Sequence, residues 1–87
     1  MNATAPSPSV TSGKMFLDVR GLTPPEPMQR VLAALAQLPA RTTLVVRIHR
    51  EPVFLFQVIE PDGWSPSSRQ LAPDDWEIQI GRSEDRR

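Results

Sequence analysis

The sequence predicts an α+β fold, one mixed sheet with its helices packed on a single face, and three observations carry that expectation. Residues 15–20 and 42–49 place apolar side chains at every second position, the two-residue period of a strand. Between them Met28, Val31, Leu32, Leu35 and Leu38 fall on one stripe of a helix. Two further strand-like runs, residues 64–71 and 75–80, are joined through Ala72, Pro73 and Asp74, and a hairpin is the economical way to connect them.

In order along the chain, Met15, Leu17 and Val19 form the inward face of the first strand, with Phe16, Asp18 and Arg20 on the other. Gly21 permits a sharp turn, and Thr23, biased toward extended geometry by Pro24, is placed to cap the helix. Thr23 and Glu26 have the spacing of a capping box. Gln29, Arg30 and Gln37 lie outside the apolar stripe, and Pro39 closes the helix. In the next strand Leu44, Val46 and Ile48 oppose Val45, Arg47 and His49. Residues 52–60 are apolar at both parities, so their pattern fits a short buried helix as well as a buried strand. Propensity leans to strand, whereas Glu51-Pro52 has the form of a helix start, and Pro61-Asp62-Gly63 supplies a stop. Trp76, Ile78 and Ile80 share one side of the final strand.

A chain of 87 residues has room for one small domain, expected at residues 14–81. Residues 1–13 are rich in Ala, Thr, Ser and Pro, with only Val10 as a sizeable side chain past Met1, and are expected to be a disordered tail. Residues 82–87 read as a charged tail. Ten basic and ten acidic residues leave no excess charge to drive nonspecific binding to nucleic acid or to an anionic membrane, so neither is expected as a partner. With no cysteine the chain has no disulfide, no zinc-thiolate site and no thiol nucleophile. It also lacks a leader-like start and a run of bilayer length, and the expected location is the cytoplasm.

The run Arg20-Gly21-Leu22-Thr23-Pro24-Pro25-Glu26-Pro27 resembles the motif of the TusA/SirA-like sulfur carriers, an Arg-Gly-Leu, one variable residue, then Cys-Pro-x-Pro at the start of the first helix. Arg20, Gly21, Leu22, Pro25 and Pro27 match, and Pro24 stands where the carriers have cysteine. The resemblance implies a two-layer sandwich of order β-α-β-α-β-β, a mixed four-stranded sheet with two helices on one face. It also implies that the 52–60 segment is helical. Together with His49-Arg50-Glu51-Pro52, the proline run is more closely similar to an uncharacterised, cysteine-less bacterial branch of that superfamily. That likeness implies an accessory role beside hemerythrin-like or respiratory proteins and no catalytic residues.

Sulfur relay needs a thiolate activated by the unpaired amides of a helix start. Proline supplies neither nucleophile nor amide proton, and three prolines make this helix start a poor anion cradle. The expectation is therefore no enzyme and no cofactor, with Arg20, Thr23, Pro24, Glu26, His49, Arg50 and Glu51 forming an interaction or ligand corner. His49, the single histidine, could ligate a metal only with help from Asp18, Glu51, Asp74 or Asp75, and one imidazole is not a site. Arg50 and Glu51 could form a surface ion pair. Phe16, Asp18, Val45 and Arg47 would occupy the uncovered, partly apolar sheet face. Trp64 and Trp76 read as core or hairpin packing. The function expected is a noncatalytic module, monomeric or weakly dimeric, that contacts a protein partner through that face or that corner. Small-ligand or metal binding near His49 is the alternative, with sulfur relay behind it.

Overall fold

The alternation in residues 15–20 and 42–49 resolves into two neighbouring parallel strands in a computed structural model, which describes residues 9–11 and 13–85. The elements are β1 (Ser9–Thr11), β2 (Lys14–Asp18), α1 (Glu26–Ala36), β3 (Thr43–Ile48), α2 (Val53–Ile59), β4 (Trp64–Ala72) and β5 (Asp75–Arg82). Single 3-10 turns follow α2 at Glu60–Asp62 and β5 at Ser83–Asp85. The sheet order is β1-β2-β3-β5-β4, with β2 and β3 parallel and every other pair antiparallel.

Side-chain parity and strand register together build the core. Met15, Leu44 and Ile80 lie side by side across three strands, and Leu17, Val46 and Ile78 do the same one step along. All six are buried, in one cluster with Val31, Ala34, Leu35 and Leu38 of α1 and its C-terminal flank and Leu55 and Ile59 of α2. Both helices therefore cover the same face of the sheet, and the fold is α+β as the alternation implied. Burying such branched side chains contributes about 1.5–3 kcal/mol each in transfer terms, which is what holds the layers together.

Four expectations are corrected. Ser9–Thr11 form a short edge strand against β2, so the sheet has five strands, not four, and this part of the chain is not a disordered tail. At the other end Arg82 belongs to β5 and residues 83–85 make a turn. The remaining expected tail residues, 1–8, 12, 86 and 87, lie outside those described. Helix α1 starts at Glu26 with no side-chain cap; the Thr23 carbonyl, not its hydroxyl, accepts the Glu26 N–H at 3.0 Å. The buried stripe of α1 is Pro27, Val31, Ala34 and Leu35, continued by Leu38, while Leu32 is 36% exposed. Ala34 takes the place on the sheet-facing stripe that was expected of Leu32.

No basic residue occupies the last turn of α1, yet its C-terminal flank is not left unpaired. Arg82, on the same side of the sheet, donates to the carbonyl oxygens of Leu38 at 2.7 Å and Pro39 at 3.0 Å, and its guanidinium stacks 5.0 Å from the Trp64 ring. These are charge-assisted bonds to carbonyls of the loop just past the helix, each stronger than a neutral one. Arg82→Gln is expected to lower stability by about 1–2 kcal/mol in urea denaturation. An unchanged midpoint would show that the arginine anchors nothing.

Candidate apolar groove and paired-charge face

The chain leaves β3 at Ile48 and enters α2 through His49, Arg50, Glu51 and Pro52, while the loop after β2 enters α1 through Thr23, Pro24 and Pro25. Both loops emerge at the same end of the sheet because β2 and β3 are parallel, so the starts of the two helices face each other there. Between them lies a groove of about 590 Å³. Pro24, Pro25 and Pro27 wall one side and Pro52, Val53 and Phe54 the other, with Met28, Val31, Ile48 and Leu55 beneath. The peptide bond between Pro24 and Pro25 is cis.

The pattern of α2 explains why sequence periodicity failed there. Leu55 and Ile59 turn inward and are buried, whereas Phe54 is 67% exposed and Val53 53% exposed. Phe56 and Val58 pack partly buried against the core, while Val53 and Phe54, at the first turn of the helix, line the groove. The expected corner divides accordingly. Pro24, His49, Arg50 and Glu51 line the groove, and Thr23 joins Pro24, His49 and Arg50 around a neighbouring hollow of about 610 Å³ that runs to Pro73, Asp74 and Trp76. Arg20 and Glu26 line neither: Arg20 pairs with Asp18 and Asp75, and Glu26 accepts from Arg30 one helical turn on, at 2.8 Å. Arg50 and Glu51 form no ion pair; the Glu51 carboxylate accepts from the Ser68 hydroxyl of β4 at 2.5 Å. That bond ties the start of α2 to the edge of the sheet. Val53 and Phe54 are groove residues that sequence reasoning did not single out, because exposure is invisible in an unbroken apolar run; Met28, expected on the core stripe of α1, is partly buried and lies beneath the groove.

His49 stands between the two hollows with its Nδ1 buried and without a partner. Among the described residues no three of His, Cys, Asp and Glu converge as a metal-binding group. Asp18 and Asp75, two of the donors considered for such a site, are instead bound to arginines.

Those arginines belong to the uncovered sheet face, the one expected to be partly apolar. Phe16 is exposed, but Val45 is only 4% exposed, set between its register neighbours Phe16 and Gln79. Toward the groove end the face carries a network of charges. Arg20 donates to Asp18 at 2.7 and 3.0 Å and reaches Asp75 at 3.4 Å. Arg47 donates to Asp75 with both Nε, at 3.0 Å, and Nη2. Asp75 was foreseen only as a metal donor. The parity of β5 puts it on the face with Arg47, and that becomes visible only once the β3–β5 register is known.

The hydrogen bonds from Arg20 hold the Asp18 carboxyl below its ordinary range against an opposing desolvation by burial, and those from Arg47 do the same for Asp75. A carboxyl whose folded pKa is depressed adds stability above its unfolded pKa and loses it as pH falls through the folded one. Thermal midpoints measured from about pH 5 downward are therefore expected to fall less steeply in Asp75→Asn than in the natural sequence. Equal acid slopes would sink this assignment. The effect is small, since these pairs are near solvent.

The family profile described as "Uncharacterized conserved protein (DUF2249)" matches residues 16–82. Searches of curated proteins and of solved structures return no match. No helix among the described residues is long and apolar enough to cross a membrane.

Proposed function

The chain belongs to the DUF2249 family of uncharacterized conserved proteins, and from that premise we propose that it is a noncatalytic interaction module whose groove receives an apolar segment of a protein partner. The observation that carries this reading is the pair of large side chains, Phe54 and Val53, left exposed beside a proline wall. Single exposed hydrophobes are ordinary on a domain surface, whereas a contiguous apolar patch with a polar rim marks an interaction site. The rim carries Arg50 and Glu51, one charge of each sign, which favours an apolar occupant over a charged one.

The finer kinship, to a bacterial, cysteine-less branch of the TusA/SirA-like superfamily, forms part of the same proposal. Arg20-Gly21-Leu22 followed by Pro25 and Pro27 at the start of α1 supports it, as does the β-α-β-α-β-β order to which β1 adds an edge. In that setting a hemerythrin-like or respiratory protein of the cytoplasm is the first partner class to test. Sulfur relay would need a thiol that this chain does not have. A second reading, a small ligand bonded to His49, is favoured by the unpartnered Nδ1.

The test places a photo-crosslinking residue at position 54 or at position 16 of the protein in its native cell. Adducts to one partner from position 54, suppressed by Met28→Glu, support the groove. Adducts from position 16 alone would move the contact to the sheet face and overturn this reading.

A further inference from the structure

At the end of the open face opposite the groove the charges no longer cancel. A hollow of about 410 Å³ opens there, lined by Arg41, Thr43, Ser67, Gln79, Gly81 and Arg82 and by the backbone around Thr42. Its lining includes two arginines and no acidic residue. Arg82 is spent on the carbonyls of Leu38 and Pro39, so its charge is not neutralised by an acid, and Arg41 enters no ion pair among the described residues. Lys14, outside the lining but opposite Thr43 in the sheet register, likewise enters no ion pair among the described residues. The nearest carboxylate on the face, Glu77, is held by Arg69 at 3.1 Å and faces the Gln79 amide at 3.4 Å.

Two backbone features shape the hollow. Arg41 is held at φ 59°, a left-handed conformation unfavourable for a residue with a side chain, and such positions cluster where a site is being presented. Gly81 forms the floor: a Cβ there would meet the Thr43 hydroxyl oxygen at 3.9 Å, so glycine keeps open space that any other residue would fill. The hydroxyls of Thr43 and Ser67 and the Gln79 amide offer neutral donors beside the Arg41 fork. From this set of donors we propose that the hollow binds a small oxyanion of the phosphate class, free or as a phosphate ester. Arg41 supplies the charge-assisted contact, and Gly81 the room.

The experiment is an NMR titration of the full chain with inorganic phosphate, with glycerol phosphate, and with sodium chloride at matched ionic strength. Saturable shifts at the amides of Arg41, Thr43, Ser67 and Gly81 with either phosphate, and not with chloride, are the expected result. Tighter binding of the ester assigns the ligand to phosphorylated metabolites, and the reverse assigns it to the free ion. Arg41→Asn removes the cation with a residue that tolerates the left-handed backbone, and should weaken binding about tenfold. Gly81→Ala, in ordinary van der Waals contact with Thr43, should weaken it while leaving the thermal midpoint near its original value. Shifts reproduced by chloride, or unchanged in both variants, overturn the proposal.

Discussion

Replacing Ile78 with alanine is expected to lower stability by about 3–4 kcal/mol, enough to bring the thermal midpoint down by roughly 15–25 °C in a domain of this size. Ile78 is fully buried on β5, beside Val46 of β3 and beneath the helices, so nothing can collapse into the space without moving two layers. A loss of this size is a large part of the total for a small domain. Leu32→Ala makes the contrasting measurement: at 36% exposure on the outer rim of α1 it should lose under about 1 kcal/mol. If the two substitutions proved equally damaging in calorimetry, the orientation given to α1 would be wrong.

The second large effect is on binding. Phe54→Glu is expected to weaken the partner captured at the groove by about 2 kcal/mol, some 30-fold in Kd, while leaving the urea midpoint within experimental scatter. The separation follows from position. Phe54 contributes little to the core because it is 67% exposed, whereas a carboxylate at that point would have to be desolvated against three prolines that offer no N–H donor. Isothermal titration with the crosslinked partner reads the affinity. An unaltered Kd would remove Phe54 from the contact.

Much of the sheet was legible because its strands carry their burial in their parity. Met15 with Leu17, Leu44 with Val46 and Ile48, and Ile78 with Ile80 all turn toward the helices. Helix α2 was not legible from its residues, since Val53 and Phe54 are apolar for the groove and Leu55 and Ile59 for the core; only the resemblance selected a helix. Strand β1 could not be read either. Three residues are too short for a period to register, and what makes Ser9–Thr11 a strand is backbone pairing to the free edge of β2. The motif puts its prolines at the start of α1, as the sequence read, but how the surrounding residues divide between groove and charged face could not be seen there. Arg20 belongs to the charged face through Asp75, a contact set by a register between distant segments.

The last strand of the chain is an inner strand of the sheet. β5 sits between β3 and β4, so during synthesis β3 has a finished partner on one side and a bare row of amides and carbonyls on the other until residues 75–82 emerge. Everything α1 and α2 have to cover is incomplete until then, because Ile78 and Ile80 arrive last. Assembly is thus dominated by pairing between distant segments, which slows folding. A product that stops before β5 keeps β2 and β3 but exposes an apolar strand edge able to pair with another copy of itself, so truncated chains are the species prone to aggregate.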